Sequence, residues 1–366
     1  MLAFVKIKIM INVEKILSQI KHNCNISDAR FWGTYSLCGL LLRLRELYRI
    51  ENGLLPWEKP LTEDVGRWIN EREELWRKLQ NSDLTDIKIN GDNFNAFDER
   101  KINNILNPSG LLYGAGYGLY MKPVFFIAEI ISHEKTDGYD IYIAGREYAR
   151  DLSDYPAMLQ NKTIISRFDM ARLLIWNKFE EMRCKNIPCR LSYAFGQYGL
   201  NREQDITKET YENINQIALS EAKGYIYHEL GEAYEGKILG EEWKQFLLSL
   251  PHSSAEVFVR SVKDVLSDTS EKGMLKHIIE NEKSGSLGFY NVFLSGFRKI
   301  IFPEMAEAFE KFRENKNWDI IEKARKTGYE KTSMYSRKLL DIYHNHKSDI
   351  NILCKLIEQE INSFQK

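Results

Sequence analysis

The stretch YIYHELGEAYEG, residues 225–236, carries the residues best suited to chemistry. His228 and Glu229 open it like a zinc-protease helix, but Glu232 stands where that helix needs its second histidine. At about 100° per residue, Glu221, Gly224, His228, Gly231, Glu232 and Glu235 fall on one stripe of a helix. Carboxylates and an imidazole on one face suit iron, manganese or zinc, and the two glycines let a neighbouring helix approach. A solvated acidic face with one incidental histidine is the plainer reading of the same pattern.

A second segment, DTSEKGMLKHIIENEKSGSLGFY, puts His277 and Glu280 three apart behind a Thr269 or Ser270 cap. Di-metal bundles use Glu-x-x-His pairs on facing helices; here the order is reversed and no second pair matches it. The metal set expected from the sequence is therefore His228, Glu232, His277 and Glu280, with Glu229 or Tyr290 as the catalytic group that moves protons. Asp268 and His252 stand at helix ends, where each offers a ligand or merely a cap; Asp268 reads better as a cap, and His252 as a surface or N-terminal staple position.

Other motifs carry less. Gly114, Gly116 and Gly118 precede a strand, whereas a phosphate cradle follows one and opens a helix, so they read as a turn or close-packed loop. In GREYARD, Arg146 is able to hold an anion, although the alternating charges of Arg146, Glu147, Arg150 and Asp151 more simply satisfy one another or face water.

The elements that must position these residues are mostly helical. A helix is expected from about residue 29 to Gly53, capped by Asn25, Ser27 or Asp28, with Phe31, Leu37, Leu41, Leu44 and Leu47 as its apolar stripe. Another follows from a Thr62 cap, with acids in its first turn. The one strand region expected is PVFFIAEIISHEKTDGYDIYIAGR, a hairpin turning at Asp137-Gly138. From Thr163 the pattern turns helical, a loop or linker is expected over 186–202, and everything after 205 reads as helix, punctuated by Pro251 and Pro303. No internal repeat of solenoid length appears.

Composition sets the class. With 366 residues, 43% hydrophobic and 28% charged, the chain reads as an ordinary globular protein, long enough for two domains or for one large domain with an appended helical part. A net charge of -1 gives no field to gather nucleic acid or an anionic membrane, and no apolar run is long enough to span a bilayer. Arginines beside aromatics then read as core rings with snorkelling side chains. Five scattered cysteines without a C-x-x-C pair point to free thiols in a cytoplasmic protein. The N-terminal segment is no signal peptide, and Met10 is an alternative start.

The segments DARFWGTYSLCGLLLRLRELYR, GREYARDL and SDTSEKGMLKHIIENEKSGSLGFYNVFLSGFRKIIFPEM resemble an uncharacterised bacterial family of hypothetical proteins over most of the chain. That resemblance implies a bacterial cytoplasmic protein and no particular chemistry.

The fold expected is mainly α, helical bundles with a small antiparallel β hairpin near residues 123–145. Residues 1–200 would form a helical domain with the hairpin, and 201–366 an all-helical domain. The function expected first is a helical metal-binding protein, extending to a metal-dependent enzyme with a His/Glu site and a divalent iron, manganese or zinc cofactor. The alternative is a non-catalytic helical scaffold or protein-binding module. A third reading uses the same groups for acid–base chemistry without metal. The partners expected are a small molecule or a protein, a second copy of the chain included, with no nucleic acid and no membrane.

Overall fold

The computed structural model describes residues 12–184 and 190–364; Met10 and Cys189 lie outside the described residues. The chain divides into two compact units. The first comprises Met1–Gly118, Lys122–Ile131 and Ala144–Asp154, and the second Leu119–Met121, Ser132–Ile143 and Tyr155–Lys366. The break expected near residue 200 thus falls inside the second unit.

Helices α1 (Val13–Phe31), α2 (Leu37–Glu51) and α3 (Thr62–Leu79) come first, followed by the short pair β1 (Ile87–Ile89) and β2 (Asp92–Phe94) and by α4 (Glu99–Leu106). Strands β3 (Leu111–Tyr117), β4 (Pro123–Thr136), β5 (Tyr139–Arg150), β6 (Ala157–Gln160) and β7 (Thr163–Arg167) make one sheet in the order β3-β4-β5-β7-β6. In the first unit, Ile16, Ile20 and Cys24 of α1 pack with Ile102 and Leu106 of α4 and with Tyr113, Phe125 and Ile127 of the sheet.

Helix accounts for 66% of the chain, which makes it mainly α, but the small hairpin is corrected to a five-stranded sheet. The β4–β5 hairpin turns at Asp137-Gly138, both at positive φ, as its sequence indicates. The glycine-rich segment is strand rather than loop. A side chain at Gly114 would collide with the ring of Phe126, its cross-strand partner, so glycine is the residue that lets this strand pair.

The helix expected across residues 29–53 is two helices. The chain leaves α1 at Phe31, and Ser36 restarts it by accepting a hydrogen bond from the Gly39 amide. Leu44 and Leu47 are buried as expected, whereas Leu37 and Leu41 are exposed. Thr62 is the first residue of α3 rather than its cap, and Glu63 and Asp64 do occupy the first turn.

The second unit continues with α5 (Phe168–Cys184), α6 (Arg190–Gly196), α7 (Lys208–Ser249), α8 (Ser254–Thr269), α9 (Met274–Glu280), α10 (Ser284–Phe293), α11 (Gly296–Ile301), α12 (Pro303–Asn315), α13 (Trp318–His346) and α14 (Ile350–Phe364). The region read as a loop after residue 186 therefore contains α6. Helix α7 is interrupted at Gly240, and its middle packs Ile226, Leu230 and Ala233 against Tyr139, Ile141, Ile143 and Ile164. Its later turns join the large core built from α8 to α14.

The opposite face of α7 meets α8 with almost no space between backbones. A Cβ at Gly231 would lie 2.3 Å from the carbonyl oxygen of Ser267. Gly231→Ala is therefore expected to destabilise the second unit by about 1–3 kcal/mol, because backbone has no rotamer with which to yield. Gly236→Ala, where nothing lies within 4 Å, should be neutral or mildly stabilising. Urea unfolding of both variants checks the pair; equal stability would show that the α7–α8 spacing is slack.

Candidate functional site

The polar stripe of α7 faces a cavity of about 240 Å³ in the second unit, lined among others by Tyr155, Glu221, Tyr225, His228, Glu229, Asp268, Tyr290 and Arg298. At its centre Asp268, fully buried, accepts two charge-assisted hydrogen bonds. His228 Nδ1 lies 2.7 Å from one carboxylate oxygen, and Arg298 Nη2 lies 2.7 Å from the other. A carboxylate only accepts, so Nδ1 carries the proton and Nε2 is left for other work.

Electrostatics follow from burial and from these pairs. Burial opposes the imidazolium, but the Asp268 carboxylate outweighs it and pushes His228 up to about 10. Burial likewise opposes ionisation of Asp268, and His228 and Arg298 overcome it and hold the carboxyl below its usual range. The Tyr290 hydroxyl, 3% exposed as a residue, has no hydrogen bond of good geometry among the described residues, although Asp268 and Arg298 both act on it.

A second cluster adjoins the first through His228. Ligand atoms of His228, Glu232 and Asp264 all lie within 4.8 Å of one another. Lys263 donates to Glu232 at 2.9 Å and, against the effect of burial, holds that carboxyl below its usual range. Burial pushes Asp264 the other way, only partly offset by Arg298 and His228. Glu229, 7% exposed, is pushed up to about 7 by burial and by Glu232.

The sequence-derived set is thus divided. His228 and Glu232 converge, and Glu229 and Tyr290 line the adjoining cavity. His277 and Glu280 are not part of the convergence. The His277 ring stacks on Tyr227 with centroids 3.7 Å apart, and burial lowers its pKa to about 4, so it is a neutral packing group near neutral pH. Glu280 is exposed and pairs with Lys276 at 3.3 Å. Asp264, Lys263 and Arg298 are the residues that sequence reasoning missed, and Asp268, read there as a cap before a ligand, pairs with His228 and Arg298. The signal available for Asp264 is spacing: it stands four before Asp268 and shares one face of α8 with it. His252 packs against Tyr120 with the rings tilted by 34° and centroids 4.8 Å apart.

Fold and site together define a predominantly helical α+β protein whose second unit encloses a His–Asp–Arg group beside a cavity. The chain belongs to a family that bears out the resemblance to an uncharacterised one. Residues 15–167 match the family of unknown function (DUF6866) N-terminal domain, and residues 172–361 match the DUF6866 C-terminal domain. No curated protein matches the chain, and no solved structure does. Among the described residues no helix is long and apolar enough to cross a membrane.

Proposed function

We propose that the second unit is a divalent-metal centre serving a small-molecule cavity, with His228, Glu232 and Asp264 as ligands. The observation that carries this reading is the convergence of three ligand atoms within 4.8 Å, one of them from a residue that also lines the cavity. One nitrogen and two carboxylates suit zinc, manganese or iron. Asp268, bonded to Nδ1, supplies the carboxylate that metal-binding histidines use to fix ring orientation and raise ligand basicity. A bound ion would polarise an oxygen of substrate or water at the cavity wall.

Binding must displace the proton on His228 and loosen Lys263 from Glu232, so it releases protons and tightens as pH rises. Elemental analysis of untagged protein prepared without chelator should find about one equivalent of metal, and His228→Ala and Glu232→Gln should each lose it. A parent that holds no zinc, manganese or iron after reconstitution with each would end this reading.

One observation favours a metal-free alternative: the ammonium of Lys263 already sits on Glu232. In that reading the His228–Asp268 pair and Glu229 exchange protons with a cavity-bound substrate. The same elemental analysis separates the two.

A further inference from the structure

The charges lining the cavity do not balance. Arg298 and His228 are both answered by Asp268. Neither of the two remaining carboxyls forms an ion pair among the described residues: His228 and Lys263 act on Glu229 only through space, and Glu221 has no cation in contact. Glu221, 2% exposed, accepts hydrogen bonds from Ser286 Oγ at 2.6 Å and Tyr198 OH at 3.3 Å, both neutral hydroxyls, and forms no ion pair among the described residues. Lys283 acts on it only through space. Glu229 is buried yet makes neither a hydrogen bond nor an ion pair among the described residues. A buried carboxyl facing a cavity with no counter-charge in contact is a costly arrangement that a cationic ligand can relieve.

The rest of the lining says what kind of ligand. Tyr155 and Tyr225 line the cavity, together with the apolar Pro156, Met274 and Phe293. Carboxylate together with aromatic faces is the combination that recognises an organic cation, through an ion pair at one side and the ring quadrupole at the other. Glu221 lies seven residues, about two helical turns or roughly 10 Å, from His228 along α7. A cation at Glu221 therefore leaves the His228 end of the cavity free.

We propose that this cavity receives a small primary amine, its ammonium held by Glu221 against Tyr155 and Tyr225 and its other end directed towards Glu229 and His228. This rests on the reading of the cavity as the functional site, and it gives that site a substrate class. The ammonium contact itself needs no metal, so the two readings fail separately. The burial that pushes Glu221 up to about 7 marks the same absence of a counter-charge.

The test is calorimetric titration of the full chain with butylamine and benzylamine, beside benzyl alcohol and benzoate, after chelator treatment and again after metal loading. Both amines are expected to bind with or without metal, with the alcohol and the carboxylate at least tenfold weaker. Glu221→Gln should weaken amine binding at least tenfold while keeping the parent's metal content and unfolding midpoint. Should that variant not fold, Glu229→Gln and Tyr225→Leu take its place and must each weaken the amines. Benzoate binding as tightly as benzylamine, no amine binding by the parent, or amine binding indifferent to these substitutions would each overturn the proposal. A parent that takes up no zinc, manganese or iron and still binds the amines would overturn only the metal reading.

Discussion

Lys122→Met is expected to cost the first unit about 3–5 kcal/mol, the loss that follows when one member of a buried charge group is removed and the others stay. Lys122, 4% exposed, reaches Asp28 of α1 at 3.0 Å and Asp151, just beyond β5, at 2.7 Å, and both aspartates are buried. The aspartates are also backbone acceptors: Asp28 takes the Leu152 amide, and Asp151 takes the amides of Phe125 and Ser153. Without the ammonium, two neighbouring carboxylates share a site that water does not reach. One must take up a proton or the helix must leave the sheet. Hydrogen exchange should show lost protection across residues 12–118 with the later helices of the second unit spared.

The pH dependence tests the cause. In the parent, burial raises Asp28 to about 6, so its contribution is fully present below 3.8 and lost as pH rises through 6. Asp151 is also opposed by burial, but Lys122 wins and holds it low, so its contribution is present above 3.8 and lost as pH falls further. In Lys122→Met both carboxyls are raised, and the variant should recover stability as pH is lowered from 8 towards 5. Lys122→Met/Asp28→Asn/Asp151→Asn, which removes the whole charged group, should regain most of the loss at pH 8. A triple variant no better than the single would place the cost in the lost lysine stem rather than in the stranded charges.

How much of this was legible in the sequence depends on the range over which each feature is written. The β4–β5 hairpin is local: a β-branched and aromatic run, the Asp137-Gly138 turn and a second run lie within one window. The stripe of α7 is also local, because residues three and four apart must share a face. Strands β6 and β7, of 4 and 5 residues, are too short to display a period, and Gly114 hides a strand because its reason for being glycine is the ring of Phe126. The site is written at long range. Asp268 reaches His228 across 40 positions and Arg298 reaches Asp268 across 30, while Asp151 and Asp28, which share Lys122, stand near opposite ends of the first unit's described sequence. No local pattern distinguishes His228, which acquires a carboxylate, from His277, which acquires the Tyr227 ring. Asp268 looked like a cap because it stands near a helix end, and its complete burial is what overrules that reading.

Asp268→Asn should produce the largest change in the second unit. The substitution keeps the shape of the side chain and one acceptor but removes the charge that answers both His228 and Arg298. Burial then acts on the imidazolium with less opposition, and in metal-free protein the His228 pKa should fall from about 10 by roughly 1–3 units, as the loss of a close opposite charge dictates. The unfolding free energy should drop by about 3 kcal/mol, the lower end of the range for breaking a buried pair, because a neutral hydrogen bond survives. The sign of the pH effect is fixed by both partners. His228, raised above 6.5, contributes stability that is fully present below 6.5 and is lost as pH rises through about 10. Asp268, lowered below 3.8, contributes stability that is present above 3.8 and is lost as pH falls further. Parent and variant should therefore differ most between about pH 4 and 6.5, and the difference should shrink as pH rises through about 10 to what the Asp268–Arg298 pair retains. An NMR titration of the His228 ring beside urea unfolding at three pH values measures both quantities. With His228→Gln/Asp268→Asn completing a double-mutant cycle, a coupling near zero would mean that Asp268 serves Arg298 alone. A coupling that carries most of the loss would identify it as the group that orients His228, and metal affinity in Asp268→Asn should then fall about 10- to 100-fold with the three ligands still in place.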